Sequence, residues 1–369
     1  MPAPAGESRH QRAQLLNQVG DQADRRPVGE LASTHPSDRR GGRSWLGWAL
    51  SPLVRSASAL CCLRALLVLS SLTRNLTVAR FIDRPNRFIV RCEAPGLGRL
   101  RAHMPNPGRM WELLLPAVRL WLAPAPRAAD STRRTAYTVV AVERDGEPVL
   151  VHTHASNDVA RQLVEQRRIP GLEDAEILAA EVKVGHSRFD FLLRRARQQV
   201  LMEVKSVTLF GNQMAMFPDA PTLRGRRHLE ELATQSSRGA RPVVLFLVHS
   251  RRVDRFLPDY HTDLEFAHTL LRLRSQLDVV VAAIGWRPAL GLPRRVDRLP
   301  IDWSMLAREA QDGGAYLLLL RLTRAHSVRI GKLGTRRFDA GYYLYVGSAM
   351  RNLTARINRH LRKTKTHHW

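Results

Sequence analysis

The chain has 369 residues, 44% of them hydrophobic, and a formal net charge of +25. That length and apolar content exclude disorder throughout and allow two or three domains, each with its own core. The charge excess favours a polyanionic partner, nucleic acid before anionic membrane, because guanidinium groups gain by displacing counterions from phosphates. A general arginine bias combined with ordinary solubility stays open as the other source of that charge. Cys61, Cys62 and Cys92 form no CxxC pair, so neither a disulfide scaffold nor a thiolate zinc site is indicated.

Residues 1–75 are rich in Pro, Gly, Ser, Ala and Arg and read as a disordered or loosely structured extension. Its one apolar patch, Ala57 to Leu72, is interrupted by Arg64 and falls short of the roughly 20 apolar residues a membrane span needs. A buried or interfacial helix fits it better. With no export signal, the expectation is a cytoplasmic protein without stable membrane insertion. From Phe81 onward, five short apolar runs (RFIVRCEA, GRLRAHM, AVRLWLAP, RTAYTVVAVE and GEPVLVHTH) follow at close spacing. They predict a small antiparallel barrel over 76–150.

Next comes a helical stretch, NDVARQLVEQRRI, with Asn157 as its cap and Val159, Leu163 and Ile169 on one side. Strands and helices then alternate to Trp286, which predicts an α/β domain over 151–286. Residues 287–312, rich in Pro and Arg, read as a linker. A last α+β unit covers 313–369, from AYLLLLRL through YYLYVG to the basic helix NLTARINRHLRK.

Within the α/β domain, SRFDFLLRRARQQVLMEVKSVTL predicts a hairpin that brings Asp190 opposite or nearly opposite Glu203. Glu203 and Lys205 share one face of their strand, with Val204 on the other. Two carboxylates and a backbone carbonyl, that of Val204, suit Mg²⁺ or Mn²⁺, and a lysine beside them can orient water or a phosphate oxygen. The lysine is notable because the chain carries 5 lysines among its 58 basic residues, and guanidinium replaces a compact ammonium poorly. A surface ion pair explains the same triplet equally well from pattern alone. In the barrel, HMPNPGR offers His103, Asn106 and Arg109 on a proline-stiffened loop, and Arg84 and Arg87 lie in the nearby RPNRF; these are candidate phosphate contacts. Phe88, Trp111 and Trp121 offer stacking surfaces or core.

Taken in order, RPNRF, HMPNPGRMWELL, SRFDF, MEVKSVTL and FPDAPTLRGRRHLEEL resemble the sugar fermentation stimulation protein family, SfsA, over about residues 81–286. The resemblance implies an OB-like barrel joined to a PD-(D/E)xK nuclease-like domain and DNA binding. It places the catalytic core on Asp190, Glu203 and Lys205. The metal ligands would be Asp190, Glu203 and Val204, with Glu165 of the preceding helix as a further acid. Arg224 would clamp phosphate. The function implied is a DNA-binding protein with a divalent-metal nuclease site; the alternative is a non-catalytic transcriptional regulator of sugar metabolism. A protein-interaction or membrane-surface module led by the Leu60 to Leu72 helix is a third reading, and a homodimer is left open.

Residues 313–369 resemble a truncated GIY-YIG-related domain, with Tyr316, Tyr343, Tyr345, Gly347, Arg356 and His360 on its motif pattern and Arg356 as a phosphate-facing cation. No acidic residue follows Asp339, so a metal-dependent cut by this unit is not expected.

Overall fold

The computed structural model describes residues 75–125, 135–236, 241–287, 290–291 and 295–362. Apart from Asn75, the expected extension and its apolar patch lie outside the described residues. Among those residues, no helix is long and apolar enough to cross a membrane.

Six strands build the first domain: β1 (Thr77–Asn86), β2 (Ile89–Ala94), β3 (Gly98–His103), β4 (Arg119–Pro124), β5 (Tyr137–Arg144) and β6 (Glu147–Leu150). Their order is β3-β2-β1-β4-β5-β6. A parallel pairing of β3 with β5, Ala102 to Tyr137 and His103 to Thr138, closes the first five into a barrel and removes its free edges. The five expected runs correspond to β2 through β6, while the barrel itself needs β1. That strand carries no clean period of two, because Ala79 and Phe81 face inward while Val78 and Ile82 are exposed.

The β4–β5 side of the barrel is buried on both faces. Trp121, Ala123, Val140 and Ala141 share one apolar cluster with Val159 and Leu163 of helix α1 (Thr153–Glu165) and with Val243 and Leu245 of the next domain. Barrel and α/β domain therefore share a core, and Trp121 is part of it rather than a stacking surface. Trp121→Ala is expected to lower stability by about 3–5 kcal/mol, the usual cost of emptying a buried aromatic site, read as a shift in the urea midpoint at unchanged slope.

In the α/β domain, β7 (Ala175–Val184), β8 (Ser187–Arg195), β9 (Gln198–Val207), β12 (Val243–Val248), β14 (Asp278–Ile284) and β15 (Val296–Arg298) form one sheet in the order β15-β14-β12-β9-β8-β7. The central β9, β12 and β14 run parallel. All six residues of β12 are buried, as expected of a strand covered on both sides. Between these strands lie helices α2 (Leu223–Ala233) and α3 (Leu264–Leu273), and a small sheet of β10 (Leu209–Gly211), β11 (Met214–Phe217) and β13 (Arg255–Pro258).

Two expectations are corrected here. Helix α1 starts at Thr153, with the His152 ring accepting from the Ala155 N–H, so Asn157 lies inside the helix instead of capping it. The expected linker over 287–312 contains β15, paired antiparallel to β14, and helix α4 (Trp303–Glu309). Leu290, Leu299 and Leu306 are buried there, and these isolated leucines among prolines and arginines give no periodic signal.

The C-terminal unit pairs β16 (Gly314–Leu322) with β19 (Gly341–Ala349), and β17 (His326–Arg329) with β18 (Thr335–Phe338), before helix α5 (Leu353–Leu361). Tyr316 stands directly opposite Gly347, and a Cβ there would sit 2.4 Å from the tyrosine ring, so any larger residue would have to displace the ring.

Candidate active site

The hairpin of β8 and β9 pairs Phe191 with Met202, and Asp190 and Glu203 are the next residues along. Asp190 Oδ2 accepts from the Val204 N–H at 2.7 Å, and Oδ1 accepts from Asn157 Nδ2 at 2.7 Å. Asn157 thus serves the site. Lys205 Nζ donates to Glu203 Oε1 at 2.6 Å, as expected for residues two apart on one strand face.

The α2 helix contributes the rest. Its start is fixed by Thr222 Oγ1, which accepts from the Gly225 N–H, and by Asp263, which takes the Thr222 N–H and caps α3. That start turns Arg224 and His228 toward the hairpin. Arg224 Nε donates to His228 Nε2 at 3.3 Å, so the imidazole proton resides on Nδ1 and is donated to Glu203 Oε1 at 2.8 Å. Oε1 therefore receives two hydrogen bonds. Oε2 is buried and has no hydrogen-bond partner.

The two carboxyls are driven apart electrostatically. Burial and the negative charge of Glu203 push Asp190 up to about 6. Burial also works to raise Glu203, but the hydrogen bond from His228 and the charge of Lys205 outweigh it and hold Glu203 below the usual carboxylate range. One carboxyl is ionised throughout the neutral range, and its neighbour gains a proton on mild acidification.

These groups line a cavity of about 660 Å³. Its wall includes Asp190, Glu203, Val204, Lys205 and Arg224 from the predicted set, together with Asn106 of the barrel loop. Asn106 is buried, and its Oδ1 accepts from the Gly108 N–H. The sequence reading missed Asp158 and Arg161 as lining groups, whereas Asp219 and His228 belong to the FPDAPTLRGRRHLEEL run, whose loop and helix start are expected beside the hairpin. Asp158 is next to Asn157, so the helix start, once placed correctly, would have pointed to it.

Several predicted residues lie elsewhere. Glu165 is at the far end of α1, exposed and seven residues beyond Asp158, about 10 Å along the helix axis, so it does not join the metal set. Arg84 is a structural tie: its guanidinium donates to the carbonyls of Arg87, Asn106, Gly108 and Arg109, leaving no free face for a phosphate. His103 is taken up by the β3–β5 closure, whereas Arg87 and Arg109 are exposed outside the cavity. Arg356 is in the C-terminal unit, where its Nε donates to the Tyr316 hydroxyl; His360 Nε2 is 2.8 Å from the same oxygen.

Behind the hairpin, Trp286 Nε1 donates to His249 Nδ1 at 3.4 Å, which leaves the proton on Nε2, shared between Ser156 and Ser206 at 3.1 Å each. Burial pushes His249 down to about 3. A neutral imidazole already protonated on Nε2 cannot take a proton from Ser206, which excludes a serine nucleophile activated by this histidine.

Residues 82–151 match the family model described as the SfsA N-terminal OB domain, and residues 154–288 match the sugar fermentation stimulation protein RE domain. A sugar fermentation stimulation protein homolog of Methanothermobacter thermautotrophicus is 41% identical over 192 residues, covering 52% of this chain and 78% of the relative. The chain belongs to the sugar fermentation stimulation protein family. A second SfsA homolog, from Pyrobaculum arsenaticum, is 39% identical over 223 residues, 60% of this chain and 92% of its own. The SfsA structure from Pyrococcus furiosus, described as in complex with Ca²⁺, aligns with a TM-score of 0.56 at 24% identity, covering 63% of this chain and 97% of that one. Over that part of the chain it bears out a mixed α/β fold that includes the OB-like barrel. Beyond the SfsA region, residues 315–369 match a domain of unknown function, DUF123.

Proposed function

We propose that this protein binds nucleic acid, DNA in the first place, and hydrolyses phosphodiester bonds at Asp190, Glu203 and Lys205 with Mg²⁺ or Mn²⁺. The observation that carries the proposal is the orphaned Glu203 Oε2. A buried carboxylate oxygen with no partner is costly, and here it faces no shortage of donors by accident: His228 and Lys205 both crowd onto Oε1. A hard cation completes such an oxygen. Among the described residues no cluster of three or more His, Cys, Asp or Glu is grouped for a metal, so Asp190 and Glu203 would hold the ion with the Val204 carbonyl and water, a sparse protein set of the kind Mg²⁺ accepts. The Ca²⁺ named for the Pyrococcus furiosus structure is a cation of the same hard class.

When bound, the ion supplies Lewis acidity toward a phosphate oxygen. The chain supplies the remainder. Lys205, placed 2.6 Å from Glu203, presents an ammonium to water or phosphate; Arg161 and Arg224 add positive charge to the cavity wall; and His228 fixes the Glu203 rotamer. Lys205→Met is expected to keep or strengthen Mn²⁺ binding through lost repulsion while cleavage falls, which calorimetry and a nuclease assay read separately.

Acidity gives another test. Because Asp190 titrates near 6, Mn²⁺ affinity is expected to be flat above that pH and to weaken about tenfold per unit below it, as the ion must displace a proton. The sign for stability follows. The folded value lies above the unfolded one, so Asp190 favours the metal-free fold below about pH 4 and that contribution, roughly 3 kcal/mol, is lost as pH rises through 6. Added Mn²⁺ should restore it.

The nucleic-acid part is tested by affinity for two unrelated duplexes across a salt series. Steep, sequence-indifferent salt dependence is the expected result; a flat response, or no binding at low salt, removes the proposal.

A further inference from the structure

The loop between β3 and β4 is held at four points. Arg84 gathers its carbonyls from Asn106 to Arg109. Asp219 of the α/β domain accepts from the Arg109 N–H, and Glu112 accepts from the Phe210 N–H. Met110 and Leu113 are in the core. A Cβ on Gly108 would lie 1.7 Å from Asp219 Oδ2, so loop and domain touch there without a gap.

Between these anchored neighbours Trp111 is 75% exposed. Its exposure is not a consequence of a loose backbone, since the residues on both sides are buried or hydrogen-bonded. The Arg109 guanidinium stands over its ring, 5.3 Å from the centroid. Phe88, 49% exposed, lies in the β1–β2 turn that the same Arg84 ties to this loop through the Arg87 carbonyl. Gly108, on the cavity wall, is three residues from Trp111, at most about 11 Å of chain.

An indole held out rigidly with a guanidinium over one face, on a strongly basic chain and next to a cavity containing paired carboxylates, presents its other π-face backed by positive charge. Duplex bases are stacked on each other and offer no face to it; an unpaired base does. The geometry points to a single-stranded nucleic-acid subsite at Trp111, which stacks an unpaired base while the adjoining phosphates enter the Asp190–Glu203 cavity. This inference rests on the nucleic-acid reading above and names its substrate class as a single strand or an unpaired end.

The test uses the full chain with a fluorescent oligothymidylate of about 16 nucleotides and a blunt duplex of the same length, at one fixed salt concentration. Wild type is expected to favour the single strand. Trp111→Ala should weaken single-strand binding about tenfold or more and duplex binding less than twofold, while Trp111→Phe retains most of the single-strand affinity. Binding of the oligothymidylate should also quench the part of the tryptophan emission that is lost in Trp111→Ala. Equal wild-type affinity for both probes with no effect of Trp111→Ala overturns the stacking subsite and leaves the nucleic-acid proposal standing. An equal loss for both probes also overturns it, assigning Trp111 to loop integrity. Binding of neither probe by wild type defeats the nucleic-acid proposal itself. Since Trp111 is exposed, an unchanged circular dichroism spectrum is expected for both variants.

Discussion

Glu203→Gln is expected to reduce Mn²⁺ affinity more than any other single substitution, beyond the roughly 10–100-fold typical of losing an outer partner, and to abolish cleavage. The amide keeps the shape of the side chain and one oxygen to receive His228 and Lys205, but it puts an NH₂ where Oε2 now lacks a partner. The fold should therefore survive while the cation site does not. His228→Ala belongs to the outer class: it frees Glu203 to rotate without removing a ligand, and a loss of about 10–100-fold in affinity is expected. A plain ion pair between Glu203 and Lys205 predicts no metal dependence in any of these proteins. Calorimetric titration of the wild type and both variants separates the two.

The second large effect is structural. Gly108→Ala is expected to cost at least the about 1–3 kcal/mol of ordinary overpacking, because the new methyl would fall 1.7 Å from Oδ2 of Asp219, a carboxylate that accepts from the Arg109 N–H. Neither neighbour can withdraw easily, since Arg84 fixes the loop and the α/β domain fixes Asp219. Urea unfolding measures the loss. Combining Gly108→Ala with Asp219→Gly should recover part of it, since residues in contact are not additive.

The hairpin was legible because two independent signals coincide: β-periodicity, and a lysine in a chain where 53 of 58 basic residues are arginine. Asp190, Glu203 and Lys205 lie together as their spacing requires. Glu165 failed for a simple reason. Its helix begins at Thr153, a turn earlier than Asn157 suggests, and His152 is an unusual cap, so the acid facing the hairpin is Asp158. Arg84 shows a different limit. A motif arginine reads as a phosphate contact from charge, yet four carbonyls brought together only by the folded loop occupy both of its terminal nitrogens, and its Nε is buried. Trp121 and Trp111 are indistinguishable in sequence; one fills the seam between two domains, and the other is exposed because both its neighbours are anchored. The segment over 287–312 was misread because a three-residue edge strand and a seven-residue helix carry too few positions for a period to show.

The most direct measurement is cleavage of single-stranded and duplex DNA by the full chain with Mn²⁺, with chelator, and with Glu203→Gln as control. Strand scission by the wild type that requires the ion and is absent in the variant is the predicted result. A wild type that shows neither heat on Mn²⁺ titration nor cleavage would contradict it, leaving Asp190, Glu203 and Lys205 as a buried ion-pair network in a non-catalytic binding protein.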